Sequence, residues 1–194
     1  MGKLVFILGK SASGKDTVYR RLLEEEPELA PVVLYTTRPI REGEADGREY
    51  HFVTDAEMER LEAEGKILEK RTYHTVKGDW HYATVDDGQI DLEKHSSLIL
   101  GVPTSCRSMQ EVFGRSAVMP LYLEVEDGER LLRAIRREQR RIVPQYEEMC
   151  RRFLADARDY REEVLEELHL AARIPNNDLE TCIAACREMI HGAK

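Results

Sequence analysis

The sequence predicts an α/β protein, with a parallel sheet carrying helices on its faces and a small α+β block inserted early in the chain. Three observations predict it. Short apolar runs alternate with helical patterns through most of the 194 residues, which is the rhythm of strand–helix–strand units. The first apolar run ends in a glycine-rich turn that opens directly into a helix. Between residues 36 and 88 the alternation stops, and a loop, one helix and two adjoining strand patterns take its place.

Residues 3–8 read as the first strand and residues 17–26 as a helix ending near Pro27, with a second short strand at 32–35. Residues 36–48 hold proline, two glycines and mixed charge, so they read as a loop, and 50–53 as strand-like. Thr54 and Glu57 form a capping box that opens a helix running to Gly65. Residues 67–75 and 80–85 read as two strands joined by a turn at Lys77-Gly78-Asp79. The α/β rhythm resumes with a buried strand at 97–102, a helix at 105–113, a strand at 118–125 and a helix at 128–137. Pro144 breaks the pattern at 142–145. One long helix is then expected over 146–169, because Met149, Phe153, Ala157, Tyr160, Val164 and Leu168 recur close to the helical period. A last strand at 171–174 and a closing helix at 178–191 complete the chain.

Composition excludes some functions. A net charge of −8 argues against general nucleic-acid binding, which relies on Lys and Arg to neutralise phosphates. No apolar run approaches the ~20 residues that span a bilayer, and the N-terminus enters a strand pattern without a cleavable-looking segment, so a cytoplasmic address and no membrane partner are expected. Cys182 and Cys186 lie one helical turn apart. They offer a shared metal-binding face in principle, and read better as small buried residues on an amphipathic closing helix. Scattered histidines give no zinc-ligand spacing, and a monomer or homodimer is expected.

Gly9-Lys10-Ser11-Ala12-Ser13-Gly14-Lys15 follows a hydrophobic strand and precedes a helix, the context that a phosphate-binding P-loop requires. Its glycines let backbone N–H groups turn inward around phosphate oxygens, the helix N-terminus adds positive potential, and Lys15 reaches the β- and γ-phosphates. Gly9, Ser11, Ala12, Ser13, Gly14, Lys15, Asp16 and Thr17 are therefore the expected ATP-binding residues. The position after Lys15, normally Ser or Thr on Mg²⁺, is Asp16, with Thr17 next. A carboxylate is a hard oxygen donor, so Asp16 is expected to hold Mg²⁺ directly or through water.

The segment 36–52 carries Arg38 and Arg41 three apart in a loop, followed by Tyr50. On chemistry alone this is either a phosphate cradle, since arginine forks bind phosphate bidentately, or a surface loop with incidental charge. These seventeen residues resemble the guanylate kinase signature T-T-R-x-x-R-x-G-E-x-x-G-x-x-Y-x-F. The resemblance runs from residue 3 to about residue 190. It implies a P-loop NTPase fold with an inserted acceptor-binding subdomain at about 36–88, a helical lid at about 137–150, and a core of residues 1–35 and 89–194. It also implies ATP-dependent phosphorylation of a nucleoside monophosphate, most directly GMP to GDP, with ATP and Mg²⁺ as cofactors and small molecules as partners. By the same resemblance Thr37, Arg38, Arg41, Tyr50 and Tyr82 hold the acceptor phosphate, and Glu69 and Thr84 face the base. Arg137 and Arg152, with Lys15, steady the transferred group, and Asn176 lies near the adenine.

Two departures keep alternatives open. Where guanylate kinases carry acids after the strand ending near Leu100, this chain has Gly101-Val102-Pro103-Thr104, and Asp16 follows the P-loop lysine. A kinase that phosphorylates ribose 1,5-bisphosphate resembles the chain in both respects but lacks the full 36–52 segment. Guanylate-kinase-like domains that only bind phosphopeptides are a third reading, against which the intact glycines and Lys15 stand.

Overall fold

The computed structural model describes residues 2–75 and 78–192. In chain order the elements are β1 (Leu4–Leu8), α1 (Lys15–Glu25), β2 (Leu29–Pro31), β3 (Tyr35–Thr36), β4 (His51–Phe52) and α2 (Asp55–Ala63). There follow β5 (Ile67–Thr75), β6 (Gly78–Val85), β7 (Ser96–Leu100), α3 (Pro103–Phe113), β8 (Val118–Glu124) and α4 (Asp127–Gln139). The chain closes with α5 (Tyr146–Asp159), α6 (Glu162–Glu167), β9 (Ala172–Pro175) and α7 (Leu179–Gly192). Two sheets form. The larger has the order β2-β7-β1-β8-β9 and every pairing in it is parallel. The smaller, β4-β3-β6-β5, lies within the expected insertion and is built around the antiparallel β5–β6 hairpin.

Strand β1 sits at the centre of the larger sheet with all five residues buried. Alternate side chains go to opposite faces of a strand, and this divides the core in two. Leu4, Phe6 and Leu8 pack with Ile99, Tyr160 and Leu168 on one face. Val5 and Ile7 pack with Val18 and Leu22 of α1 and with Cys182 and Cys186 of α7 on the other. The two cysteines are thus small buried residues of the closing helix, as their spacing predicts.

Three expectations need correction. The second strand comes earlier, at Leu29–Pro31. It lies at the sheet edge, where a proline's missing N–H costs nothing, while Tyr35 belongs to the smaller sheet. Helix α1 begins at Lys15, not Thr17, so the P-loop lysine is its first residue. The long helix over 146–169 is two helices broken at Tyr160. Tyr160 leaves helical geometry (φ −112°, ψ 36°) because its ring is buried in the core and its hydroxyl donates to the Gly9 carbonyl at 3.0 Å. The apolar period runs through the break, so pattern alone does not show it. The Thr54–Glu57 capping box forms as expected. The expected turn at 77–79 involves Lys77, outside the described residues, with Gly78 and Asp79 already in β6.

Candidate active site

The loop between β1 and α1 is held by its carbonyls. Tyr160 donates to Gly9 O (3.0 Å), Arg130 Nη1 to Ser11 O (2.9 Å) and Asn176 Nδ2 to Ser13 O (2.7 Å). Carbonyls of alternate loop residues are thereby tied to the scaffold. Ala12 and Gly14 take left-handed backbone conformations (φ 62° and 85°). A Cβ on Gly14 would lie 2.7 Å from the Asn176 amide, so the position needs glycine on both counts. No side chain among the described residues caps α1; Thr17 N–H bonds the Gly14 carbonyl at 3.0 Å, and the N-terminus of the helix turns its positive dipole end toward an anion. Lys15, Asp16 and Thr17 form that first turn. Asp16 is exposed, and Lys15 and Thr17 are partly exposed.

Beneath the loop lies a buried ionic network that the sequence reading missed. Arg130 is 1% exposed. It donates to Asp156 (3.2 Å) and Asp127 (2.7 Å) and lies over the Phe153 ring at 4.8 Å. Asp156 accepts from Ser11 N at 2.7 Å, and Asp127 from Lys10 Nζ at 3.2 Å. In the sequence, the arginines from 130 to 152 read mostly as a solvated face. The available signal was the spacing of Arg130, Ala134 and Glu138, the buried stripe of α4. Asn176 is also buried and spends its amide N–H on the loop. Its neighbour Asn177, not Asn176, lines the open hollow beside Lys10 and Asp127.

On the insertion side, Arg38 is buried and gripped by both oxygens of Glu44 at 3.0 Å. Its guanidinium stacks over Tyr50 and Phe52, 5.3 and 5.5 Å from their centroids. Thr37 accepts from His81 N, tying the loop to β6. Tyr82 meets Tyr50 edge-on at 5.6 Å. Arg41 is lowered from its ordinary value by burial and by the neighbouring charges of Arg38 and Arg152. Arg41 and Arg152 line, with Arg137 and Arg141, one cavity of about 230 Å³ that also holds Glu138 and Glu148. Glu148 is held down to about 2, chiefly by Arg151 and, against its own burial, by Arg152. The structure therefore brings an arginine of the 36–52 loop and two arginines of the expected lid to one place.

Burial pushes the Tyr50 hydroxyl up, with Tyr82 and Asp16 adding to it and Arg38 and Arg71 opposing it. Glu69 is buried on β5 and accepts from the Thr84 hydroxyl at 3.3 Å. Desolvation raises its carboxyl above the ordinary range despite Arg71, whose Nε stands 3.2 Å away. Arg71 was not singled out in the sequence. After β7, Gly101 has no room for any side chain, since a Cβ there would lie 2.4 Å from the Phe6 ring. Ser105 closes the turn by bonding both backbone groups of Val102.

A glycine-rich loop at the C-terminal end of the central parallel strand, running into a helix that starts at its lysine, defines a P-loop α/β protein. The sequence model described as "Guanylate kinase" matches residues 1–193, and the chain belongs to the guanylate kinase family. A guanylate kinase of Trichormus variabilis is 28% identical over 205 residues, covering 98% of this chain and 90% of that one. A guanylate kinase of Nostoc sp. is 44% identical over 72 residues, 37% of this chain and 36% of the relative. One of Nocardia farcinica is 48% identical over 73 residues, 38% of each. These last two matches span little more than a third of the relatives' length. The crystal structure of guanylate kinase from Anaplasma phagocytophilum shares the fold with a TM-score of 0.68 at 20% identity, over 98% of this chain and 85% of that one. No helix among the described residues is long and apolar enough to cross a membrane.

Proposed function

We propose that the chain transfers the γ-phosphate of ATP to a nucleoside 5′-monophosphate, with GMP as the first candidate acceptor. The observation that carries this reading is the shared cavity of Arg41, Arg137 and Arg152. Phosphoryl transfer needs little covalent chemistry from a protein, and positioning with charge stabilisation does most of it. Lys15 and the first-turn amides of α1 hold the β- and γ-phosphates. Arg38, fixed by Glu44, presents its stacked guanidinium to the acceptor phosphate together with Arg41, Tyr50 and Tyr82, and Thr37 fixes their loop to β6. Glu69 and Thr84 lie farther along the same hairpin and face the base. Arg137 and Arg152 reach the travelling group from α4 and α5. The nucleophile is an acceptor phosphate oxygen that is already anionic, so no general base is required.

The donor set fits Mg²⁺. Asp16 is an exposed carboxylate with no hydrogen bond or ion pair among the described residues, placed in the first turn of α1, and Mg²⁺ favours hard oxygen ligands. When bound there, the ion would offset the negative charge of the ATP phosphates. The segment 137–150 and the insertion at 36–88 close over the core in this reading and keep water from the transferred group.

A second reading, ribose 1,5-bisphosphate as acceptor, is supported by Gly101, which has no space for a base-reading acid. The test is a coupled ATP-consumption assay with Mg²⁺, comparing GMP, dGMP, AMP, UMP and ribose 1,5-bisphosphate. Preference for GMP supports the first reading. Turnover of the ribose bisphosphate alone replaces it with the second, and silence with all five favours a binding module.

A further inference from the structure

Helix α5 leaves an apolar stripe open to solvent. Four of the eight large apolar side chains that stand exposed among the described residues fall between residues 142 and 154. They are Ile142 (100% exposed), Val143 (67%), Tyr146 (45%) and Leu154 (65%). Tyr146, the exposed Cys150 and Leu154 recur every four residues, which places them along one side of the helix. The other sides are committed. Met149 and Asp156 are buried. Arg152, which lines the arginine cavity, is two residues from both Cys150 and Leu154, about 200° around the helix. The stripe therefore faces away from the cavity, where a surface helix ordinarily carries polar residues, and an apolar patch of this kind marks a contact surface.

The charges beside the stripe select the occupant. Glu147, Arg151 and Arg158 follow one another along a single flank, at spacings of one and two helical turns. Glu147 and Arg158 are exposed, and their side chains make no hydrogen bond or ion pair among the described residues. Arg151 gives Nε and Nη2 to Glu148, at 2.6 and 2.8 Å, and keeps Nη1. A second copy of the same helix, laid antiparallel across the stripe about a two-fold axis at Cys150, meets this pattern. Tyr146 then lies over the partner subunit's Leu154, and Cys150 over the partner's Cys150. Such an axis keeps like flanks together, so Glu147 stands within about one turn of the partner's Arg151, and the pair occurs twice. The acidic first turn of one helix also approaches the basic last turn of the other. A parallel pairing would instead set Glu147 against Glu147 and Arg151 against Arg151.

We propose that the α5 stripe is a self-association surface on which a second copy of this chain docks antiparallel, with Glu147 and Arg151 setting the orientation. The proposal is independent of which acceptor is phosphorylated. One helix pair covers less than the ~1,200 Å² of a standard interface, so a transient dimer with a Kd above about 1 µM is expected.

The experiment is sedimentation velocity on the full chain from about 1 µM to about 1 mM. The unaltered protein is expected to pass from monomer to dimer over that range, and Leu154→Glu to remain monomeric. Glu147→Arg and Arg151→Glu each place like charges across the axis, so each alone is expected to stay monomeric. Mixed in equal amounts, the two variants should associate, because both cross-axis pairs are then opposite in charge. Unspecific clustering of apolar surface would not give that result. Cys150 is the exposed cysteine, while Cys106, Cys182 and Cys186 are buried. A short bis-maleimide should therefore join two copies of the unaltered chain, and Cys150→Ser should abolish the cross-link while leaving the sedimentation unchanged. A chain that stays monomeric throughout overturns the proposal. A dimer that survives Leu154→Glu places the contact elsewhere and overturns it as well, and so does a mixture of the two charge variants that fails to associate when the unaltered chain does.

Discussion

Arg38 and Glu44 show how one pair prepares a site. Arginine in a loop has many rotamers, and an anion site built on it loses affinity to the cost of ordering them. The bidentate contact with Glu44, which also accepts from the Arg41 backbone N–H at 2.8 Å, removes that cost before the acceptor arrives. Glu44→Gln is therefore expected to raise the acceptor KM by about tenfold or more while leaving the KM for ATP alone. An equal rise in both would show that the pair only supports the fold. Asp16 makes a separate prediction. If its carboxylate holds Mg²⁺, Asp16→Ser will shift the Mg²⁺ concentration giving half-maximal rate by several-fold, and an unmoved midpoint would assign the metal elsewhere. The 36–52 loop was legible in the sequence because its residues are contiguous. Arg71 was not, because its significance comes from the orientation of one strand of a hairpin.

At the scale of elements, the P-loop is set by helices that arrive late in the chain. Asp156 of α5 reaches Ser11 across 145 residues of sequence, and Arg130 of α4 across 119. Removing one partner of a buried ion pair leaves the other charge uncompensated, at a cost of ~3–5 kcal/mol. Asp156→Ala is expected to lower unfolding free energy by about that amount in urea titration. Arg130→Met combined with Asp156→Leu should recover much of the stability, because apolar replacements of buried pairs are often well tolerated. The double variant will still bind ATP poorly, because the Ser11 carbonyl and N–H have lost their holders. Full recovery of ATP affinity would show that the loop keeps its shape without them.

For the whole molecule, acid sensitivity follows from carboxylates that join distant elements. Glu26, at the end of α1, accepts from Arg187 and His191 of α7 at 2.5 and 3.0 Å. Burial would raise its carboxyl, and those two bonds outweigh burial, so it lies below its ordinary value. Glu148 in α5 is held near 2, chiefly by Arg151. A carboxyl depressed in the folded state adds stability that is complete above its unfolded value, near 4.5, and lost as pH falls through the folded value. Tm should therefore drop as pH is lowered below about 4.5. Glu69 opposes this weakly, since its raised carboxyl favours the folded state in acid. Glu26→Gln should lower Tm near pH 7 and converge with the unaltered chain in acid, whereas parallel curves would remove Glu26 from the account.

The sequence by itself determined the apolar run that forms β1, the glycine loop that turns into α1, the capping box of α2 and the arginine-rich loop. Each depends on residues close together in the chain, where period, backbone freedom and local hydrogen bonding decide the outcome. Only the tertiary structure decided that the helix after Tyr146 breaks at Tyr160, that Arg130 is buried instead of solvated, and that Glu69 shares its carboxylate with Arg71. In each case a side chain's role is set by a partner that the fold brings to it: the Gly9 carbonyl for Tyr160, Asp156 for Arg130, and the pleat of one strand for Arg71. Burial at those contacts then makes an unmet hydrogen bond costly enough to override the local pattern.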